Sequence, residues 1–163
     1  MGKVVTTRHL LALRRRFRAQ GKRVVFTNGT FDIIHRGHVE YLAKARLLGD
    51  VLVVGLNTDA SIRRIKGARR PINPNADRAA VLAGLSAVDY ICFFRSETPQ
   101  RLIEQLQPDV LVKGADWRPG AIVGGDVVRR QGGSVHRIAL TPGRSTTSII
   151  DRILAAYDCA GKR

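Results

Sequence analysis

The chain has 163 residues, 44% hydrophobic and 25% charged, which is enough for one soluble domain with a sizeable core. Its 28 Lys and Arg against 13 Asp and Glu give a formal net charge of +15, a field that draws anions. No apolar run is long enough to span a bilayer, the arginine-rich start lacks the apolar region of a secretory leader, and Cys92 and Cys159 are too far apart for a disulfide framework or metal pair. A reduced, cytoplasmic protein with no membrane segment and one domain over 1–163 is therefore expected: a leading helix in 1–21, a core over 22–157 and a tail over 158–163. The basic residues are scattered over Arg14 to Arg23, Arg63 to Arg70, Arg129-Arg130 and the tail, with few aromatics between them. That pattern argues against a specific nucleic-acid partner, although a basic nucleic-acid-binding module stays as the remote alternative.

Leu10, Leu11, Leu13 and Phe17 space an amphipathic helix over Thr7 to Ala19, closed by Gly21. Val24-Val25-Phe26 reads as a buried strand interrupted by Asn28-Gly29, and from Gly37 the apolar period lengthens through Val39, Leu42, Ala43 and Leu47 into a helix. Strand, glycine-containing loop and helix in that order set unpaired N–H groups and the positive end of a helix dipole beside the strand end, which suits an anion. His35 and His38 sit there, with Gly37 between them to let a ligand approach the backbone. Zinc ligation competes poorly, because neither cysteine is near and no third ligand is suitably spaced.

Val51 to Leu56 is the next buried strand. Asn57-Thr58-Asp59 caps a short helix, and Lys66 to Asn75 is a basic Gly/Pro loop of a length that is often functional. Helical character resumes over Asp77 to Leu85, and Tyr90 to Phe94 is a strand. Thr98-Pro99 opens a helix that ends before Pro108. Val110 to Val112 leads into Lys113-Gly114-Ala115-Asp116-Trp117, where the strand end can be an ordinary turn anchored by Trp117 or a ligand loop. A helix around Asp126 to Arg130, a strand near Ser134 to Ile138 and a last helix from Ser145 to Tyr157 complete the chain. Ser145-Thr146-Thr147, after Arg144, can cap that helix, bind phosphate, or do both. The alternation predicts an α/β fold: a Rossmann-like parallel sheet of about five strands with helices on both faces, and ligands at the carboxyl ends of the strands.

Gly29-Thr30-Phe31-Asp32 with His35-Arg36-Gly37-His38, together with Ser145-Thr146-Thr147 near the other end, resembles the cytidylyltransferase-like nucleotidyltransferases. The stretch from Val24 to Ile153 is most similar to heptose 1-phosphate adenylyltransferases, through Thr27-Asn28-Gly29, Tyr41 to Arg46, Leu56 to Ser61, Arg70 to Pro74, Thr98 to Ile103 and Ser145 to Ile150. The resemblance implies transfer of AMP from ATP, with Mg2+, to D-glycero-β-D-manno-heptose 1-phosphate. It implies catalytic roles for His35 and His38, and Lys44, two turns into the same helix and within reach of phosphate, is expected to join them. Nucleotide contacts are implied for Asn28, Gly29, Thr30, Phe31, Gly37, Lys113, Gly114, Asp116, Trp117, Arg144, Ser145, Thr146 and Thr147, and acceptor-phosphate contacts for Asp32, Arg70 and Arg78. No protein metal site is implied. A homodimer is implied, as is a separate kinase to supply the sugar phosphate, since many relatives fuse this domain to one. Trp117 departs from the Tyr expected there and resembles the glycerol-3-phosphate cytidylyltransferases, which keeps cytidylyl transfer to an alcohol phosphate as the alternative.

Overall fold

A parallel sheet in the order β1-β4-β3-β2-β5-β6 organises the computed structural model, which describes residues 1–115 and 119–157. The strands are β1 (Lys3–Val5), β2 (Val24–Gly29), β3 (Val51–Asn57), β4 (Tyr90–Phe94), β5 (Val110–Gly114) and β6 (Ser134–Ile138). The helices are α1 (Thr7–Ala19), α2 (Arg36–Arg46), α3 (Asp59–Lys66), α4 (Asn75–Gly84), α5 (Gln100–Leu106), α6 (Gly125–Arg130) and α7 (Thr146–Tyr157). Alternation along the strands divides the core into two layers. Val25, Leu52, Val54, Leu56, Ile91 and Val112 pack with Tyr41, Leu42 and Ala45 of α2 and with Ala79 and Leu82 of α4. Val24, Phe26, Val53, Phe94 and Leu111 face Leu10 and Phe17 of α1, Leu102, Ile103 and Leu106 of α5, and Val128 of α6.

Among the described residues there are six strands rather than about five. The extra one, β1, lies inside the segment expected to be only a leading helix, and it pairs with Tyr90 to Cys92. Three largely exposed residues carry no periodic signal of their own, so the strand depends on a distant partner. β2 also runs on through Asn28-Gly29 instead of stopping there. Asn28 lies opposite Gly55, where a Cβ would stand 2.7 Å from the Phe26 ring, so the missing side chain lets the strands stay paired. Pro99 occupies the cap position of α5 and makes no side-chain hydrogen bond there. Asp116, Trp117 and the 158–163 tail, Cys159 included, lie outside the described residues.

From β2 the chain steps outward through β3 to β4, then returns to the other side of β2 with β5 and β6. Strand order therefore reverses between β2 and β5. In sheets of this kind ligands bind outside the strand ends at that reversal.

Candidate functional site

A cleft of about 690 Å³ opens at that point. Its floor is the ends of β2 and β5: Asn28, Gly29, Lys113 and Gly114. The Lys113 side chain is buried and its Nζ donates to the Asn28 carbonyl at 3.4 Å. One wall is the β2–α2 loop and the start of α2, with Thr30, Phe31, His35, Gly37 and His38; another is Lys66 and Arg70; a third is Arg144, Ser145, Thr146 and Thr147.

Phe31 takes φ +42°, a backbone region that a bulky side chain enters at a cost of order 1–3 kcal/mol. Burial of its ring in the core offsets that cost, and the ring lies 5.2 Å from His38. His35 is the residue before α2 and places no side-chain cap on the helix, so the first N–H groups of α2 are left for a ligand. The His35 and His38 rings stack with centroids 3.8 Å apart, and a Cβ on Gly37 would stand 3.1 Å from the His35 ring. Glycine is what allows that ring to lie against the helix start.

Burial first, and neighbouring charges second, favour the neutral form of both imidazoles. Burial, then His35 and Lys66, push His38 down to about 4, while burial and the Arg144 charge lower His35. A neutral imidazole has one N–H to donate and does not compete with nearby cations for an anion. The buried side-chain nitrogens and oxygens lacking a hydrogen-bond partner among the described residues are Asn28 Oδ1, His35 Nδ1, His38 Nδ1 and Arg70 Nε. All four of these residues line the one cleft. Buried polar groups in native proteins are nearly always paired, so such a concentration marks a place where a ligand completes the bonding.

The structure gathers most of the residues anticipated from sequence and sets others apart. Lys44 is exposed toward the C-terminal end of α2 and does not line the cleft, because the helix carries it about 12 Å along the axis from Arg36. Arg78 is 1% exposed and wholly committed: its guanidinium donates to the carbonyls of Thr30, Asn57 and Asn73 and to the side chains of Asp59 and Asn75. It braces the loop from behind and offers nothing to an acceptor phosphate. Asp32 is likewise buried, accepting the backbone N–H groups of Ile72 and Asn73. Arg70 Nε stands 2.8 Å from Asp32 Oδ2 as an ion pair, though its N–H is not aimed at an acceptor. Asp32 thus holds the loop that presents Arg70, and Arg70 alone of the three faces the cleft.

Lys66 was missed as a site residue, although it begins the basic loop. Its Nζ lies 3.4 Å from Thr30 Oγ1, and partial desolvation followed by the Arg70 charge lowers its pKa, with Asp32 opposing. Ser145 does cap α7: its Oγ accepts the Ser148 N–H at 3.0 Å, and Ser148 Oγ accepts the Ser145 N–H at 3.3 Å. The loop before it is held by Glu40 of α2, which accepts from Thr141 Oγ1 at 2.5 Å and Arg36 Nε at 2.6 Å. Those bonds hold the Glu40 carboxyl below its usual range. Among the described residues no three His, Cys, Asp or Glu side chains are grouped to hold a metal ion. The cleft can therefore take a polyanion along Lys113, α2 and α7, with a second anionic group beside Lys66 and Arg70.

Residues 26–152 match the family model described as cytidylyltransferase-like. The chain is 56% identical over 140 residues to the bifunctional protein HldE of Geobacter metallireducens and 59% identical over 140 residues to that of Magnetococcus marinus. Each match covers 86% of this chain, which spans only 29% of the length of those relatives. The solved structure of a lipopolysaccharide core biosynthesis protein from Thermoplasma volcanium is similar with a TM-score of 0.61 and 26% identity, over 74% of this chain and 98% of that one. A pantoate-β-alanine ligase from Francisella tularensis shares the fold at a TM-score of 0.64 and 15% identity, over 90% of this chain and 69% of the other.

Proposed function

The chain belongs to the cytidylyltransferase-like family, and from that premise we propose that it transfers AMP from ATP to D-glycero-β-D-manno-heptose 1-phosphate, giving ADP-heptose and pyrophosphate. An oxygen of the sugar phosphate attacks the α-phosphorus. The bond from that phosphorus to the oxygen bridging to the β-phosphate breaks, and its electron pair leaves with pyrophosphate. A phosphate monoester, with a second pKa near 6, is already anionic at neutral pH, so no general base is needed. Catalysis is then mostly placement and charge stabilisation. Neutral His35 and His38 donate to phosphate oxygens, Lys113 and the start of α2 hold the nucleotide from the floor, and Lys66 with Arg70 receives the acceptor phosphate.

Mg2+ is proposed to arrive on the triphosphate, carried by phosphate oxygens and water, and to screen the charge of the donor. The observation that carries this reading is the set of three buried polar atoms without a hydrogen-bond partner, Asn28 Oδ1, His35 Nδ1 and His38 Nδ1, in residues that line one cleft at the strand-order reversal. The choice of heptose phosphate is supported by the extended motif match and by the identity to the HldE proteins. Product analysis with ATP and CTP offered together over a panel of sugar phosphates tests it. ADP-heptose should dominate, and faster pyrophosphate release with CTP or an alcohol phosphate overturns the assignment.

No helix among the described residues is long and apolar enough to cross a membrane, and a cytoplasmic location, where ATP is available, belongs to the same proposal. So does a homodimer. α7 buries none of its residues and leaves Ile153, Leu154 and Tyr157 exposed, an apolar face that a second copy is suited to cover. Light scattering of the purified chain reads that directly.

A further inference from the structure

A single carboxylate lines a cleft otherwise furnished for anions. Lys66, Arg70, Lys113 and Arg144 supply its positive charge, and among the described lining residues Glu97 is the sole acid. Glu97 stands on the loop between β4 and α5, and the sheet order puts β4 on one side of β2 and β5, which carries Lys113, on the other. The loop is fixed from α3. Arg64 donates to the Arg95 carbonyl, its Nε lies 3.6 Å from Glu97 Oε1, and Ser96 Oγ donates to the Thr98 carbonyl at 2.7 Å. The same helix end that presents Lys66 therefore holds Glu97. At 3.6 Å the Arg64 pair is too long for a hydrogen bond, and neither the Glu97 carboxylate nor the Thr98 hydroxyl has a hydrogen-bond partner among the described residues. A carboxylate in this position opposes the phosphates that every other charge in the cleft attracts. What it suits is a hydroxyl: an ionised carboxylate only accepts, has room for about four hydrogen bonds, and takes O–H donors strongly.

We infer that Glu97, with Thr98 beside it, binds the hydroxyls of the acceptor's sugar, so that the β4–α5 loop selects a polyhydroxylated phosphate ester. The inference rests on the proposed nucleotidyl transfer and deepens it. With the acceptor phosphate on Lys66 and Arg70, the sugar carbons extend toward Glu97, and their hydroxyls supply the hydrogen bonds that the carboxylate lacks. A bare phosphate leaves Glu97 without those bonds, and an ester carrying a second anionic group is opposed by it. Sites built to hydrogen-bond a hydroxyl reject analogues that lack one far more strongly than an apolar wall does.

Calorimetric titration of heptose 1-phosphate, mannose 1-phosphate and inorganic phosphate into the wild-type chain, Glu97→Ala and Glu97→Gln tests this, each with and without a saturating non-hydrolysable ATP analogue. Glu97 is exposed, so the lower end for a hydrogen bond to a charged group applies: heptose 1-phosphate affinity should fall about ten-fold in Glu97→Ala and recover in part in Glu97→Gln, which keeps one acceptor oxygen. Inorganic phosphate has no sugar hydroxyl to lose, and removing a negative charge favours it. Its affinity should stay within about two-fold of wild type or rise. Wild-type protein that binds neither sugar phosphate more tightly than inorganic phosphate, unchanged sugar-phosphate affinity in folded Glu97→Ala, or equal losses for sugar phosphate and inorganic phosphate each overturn the assignment. The titration involves no turnover. Binding of either sugar phosphate that depends on Glu97, without any AMP transfer to heptose 1-phosphate, therefore sustains the hydroxyl contact and rejects only the proposed reaction.

Discussion

His35 and His38 lie face to face, ring centroids 3.8 Å apart and 26° from coplanar, and two imidazoles so placed cannot comfortably both carry a proton. Burial contributes more than this repulsion to His38, and together with Lys66 they bring it to about 4. In the unfolded chain an imidazole titrates near 6.5. The sign follows from proton binding: below about 6.5 the unfolded chain takes up a proton that folded His38 refuses until about 4. Folding stability contributed by this group is present at neutral pH and declines as pH falls from about 6.5 toward 4. Chemical-shift titration of the histidine ring protons should find one site near 4 in the free protein, moving upward when a non-hydrolysable ATP analogue supplies an anion. A free-protein His38 that titrates at or above 6.5 contradicts the neutral pair.

Arg78 gives a prediction that separates bracing from ligand contact. Arg78→Ala strips partners from three backbone carbonyls and leaves Asp59 without its 2.8 Å ion pair. Removing one partner of a buried ionic network typically costs about 3–5 kcal/mol, so a large drop in the thermal midpoint is expected. An unchanged midpoint with a raised KM for the acceptor alone would return Arg78 to the phosphate site.

Lys66 and Lys44 form a matched test of position. Lys66→Ala should raise the acceptor KM about ten-fold, the lower end for a hydrogen bond to a charged group. Lys44→Ala should leave kcat and KM within about two-fold, as for an exposed substitution away from ligands. The reverse ranking in steady-state kinetics would place the catalytic lysine on α2 after all.

These residues also show what the sequence could and could not convey. The period change after β2 revealed the helix that carries the histidines, because amphipathic spacing is local and strong; α1, β4 and β6 were legible end to end for the same reason. β1 was not, since its three residues become a strand only by pairing with β4. Arg78 reads as one more charged helix residue until Asp59, Asn75 and three carbonyls are seen to surround it. Asp32 sits within a motif whose other members face the cleft, and only its bonds to Ile72 and Asn73 reveal that it serves the neighbouring loop. Lys66 lay at the edge of a loop whose length is often functional, but nothing in a basic run tells which amine reaches across to Thr30.

On the proposed mechanism, the neutral imidazole pair stabilises charge that develops in transfer rather than binding the ground state. Steady-state pyrophosphate release from ATP and heptose 1-phosphate by His35→Ala and His38→Ala, with circular dichroism to confirm the fold, tests that claim most directly. One preorganised donor of this kind is worth about 10²- to 10³-fold in kcat, so a loss of that order with KM for ATP nearly unchanged is predicted. Folded variants with near-normal kcat, or with a raised KM and intact kcat, contradict it.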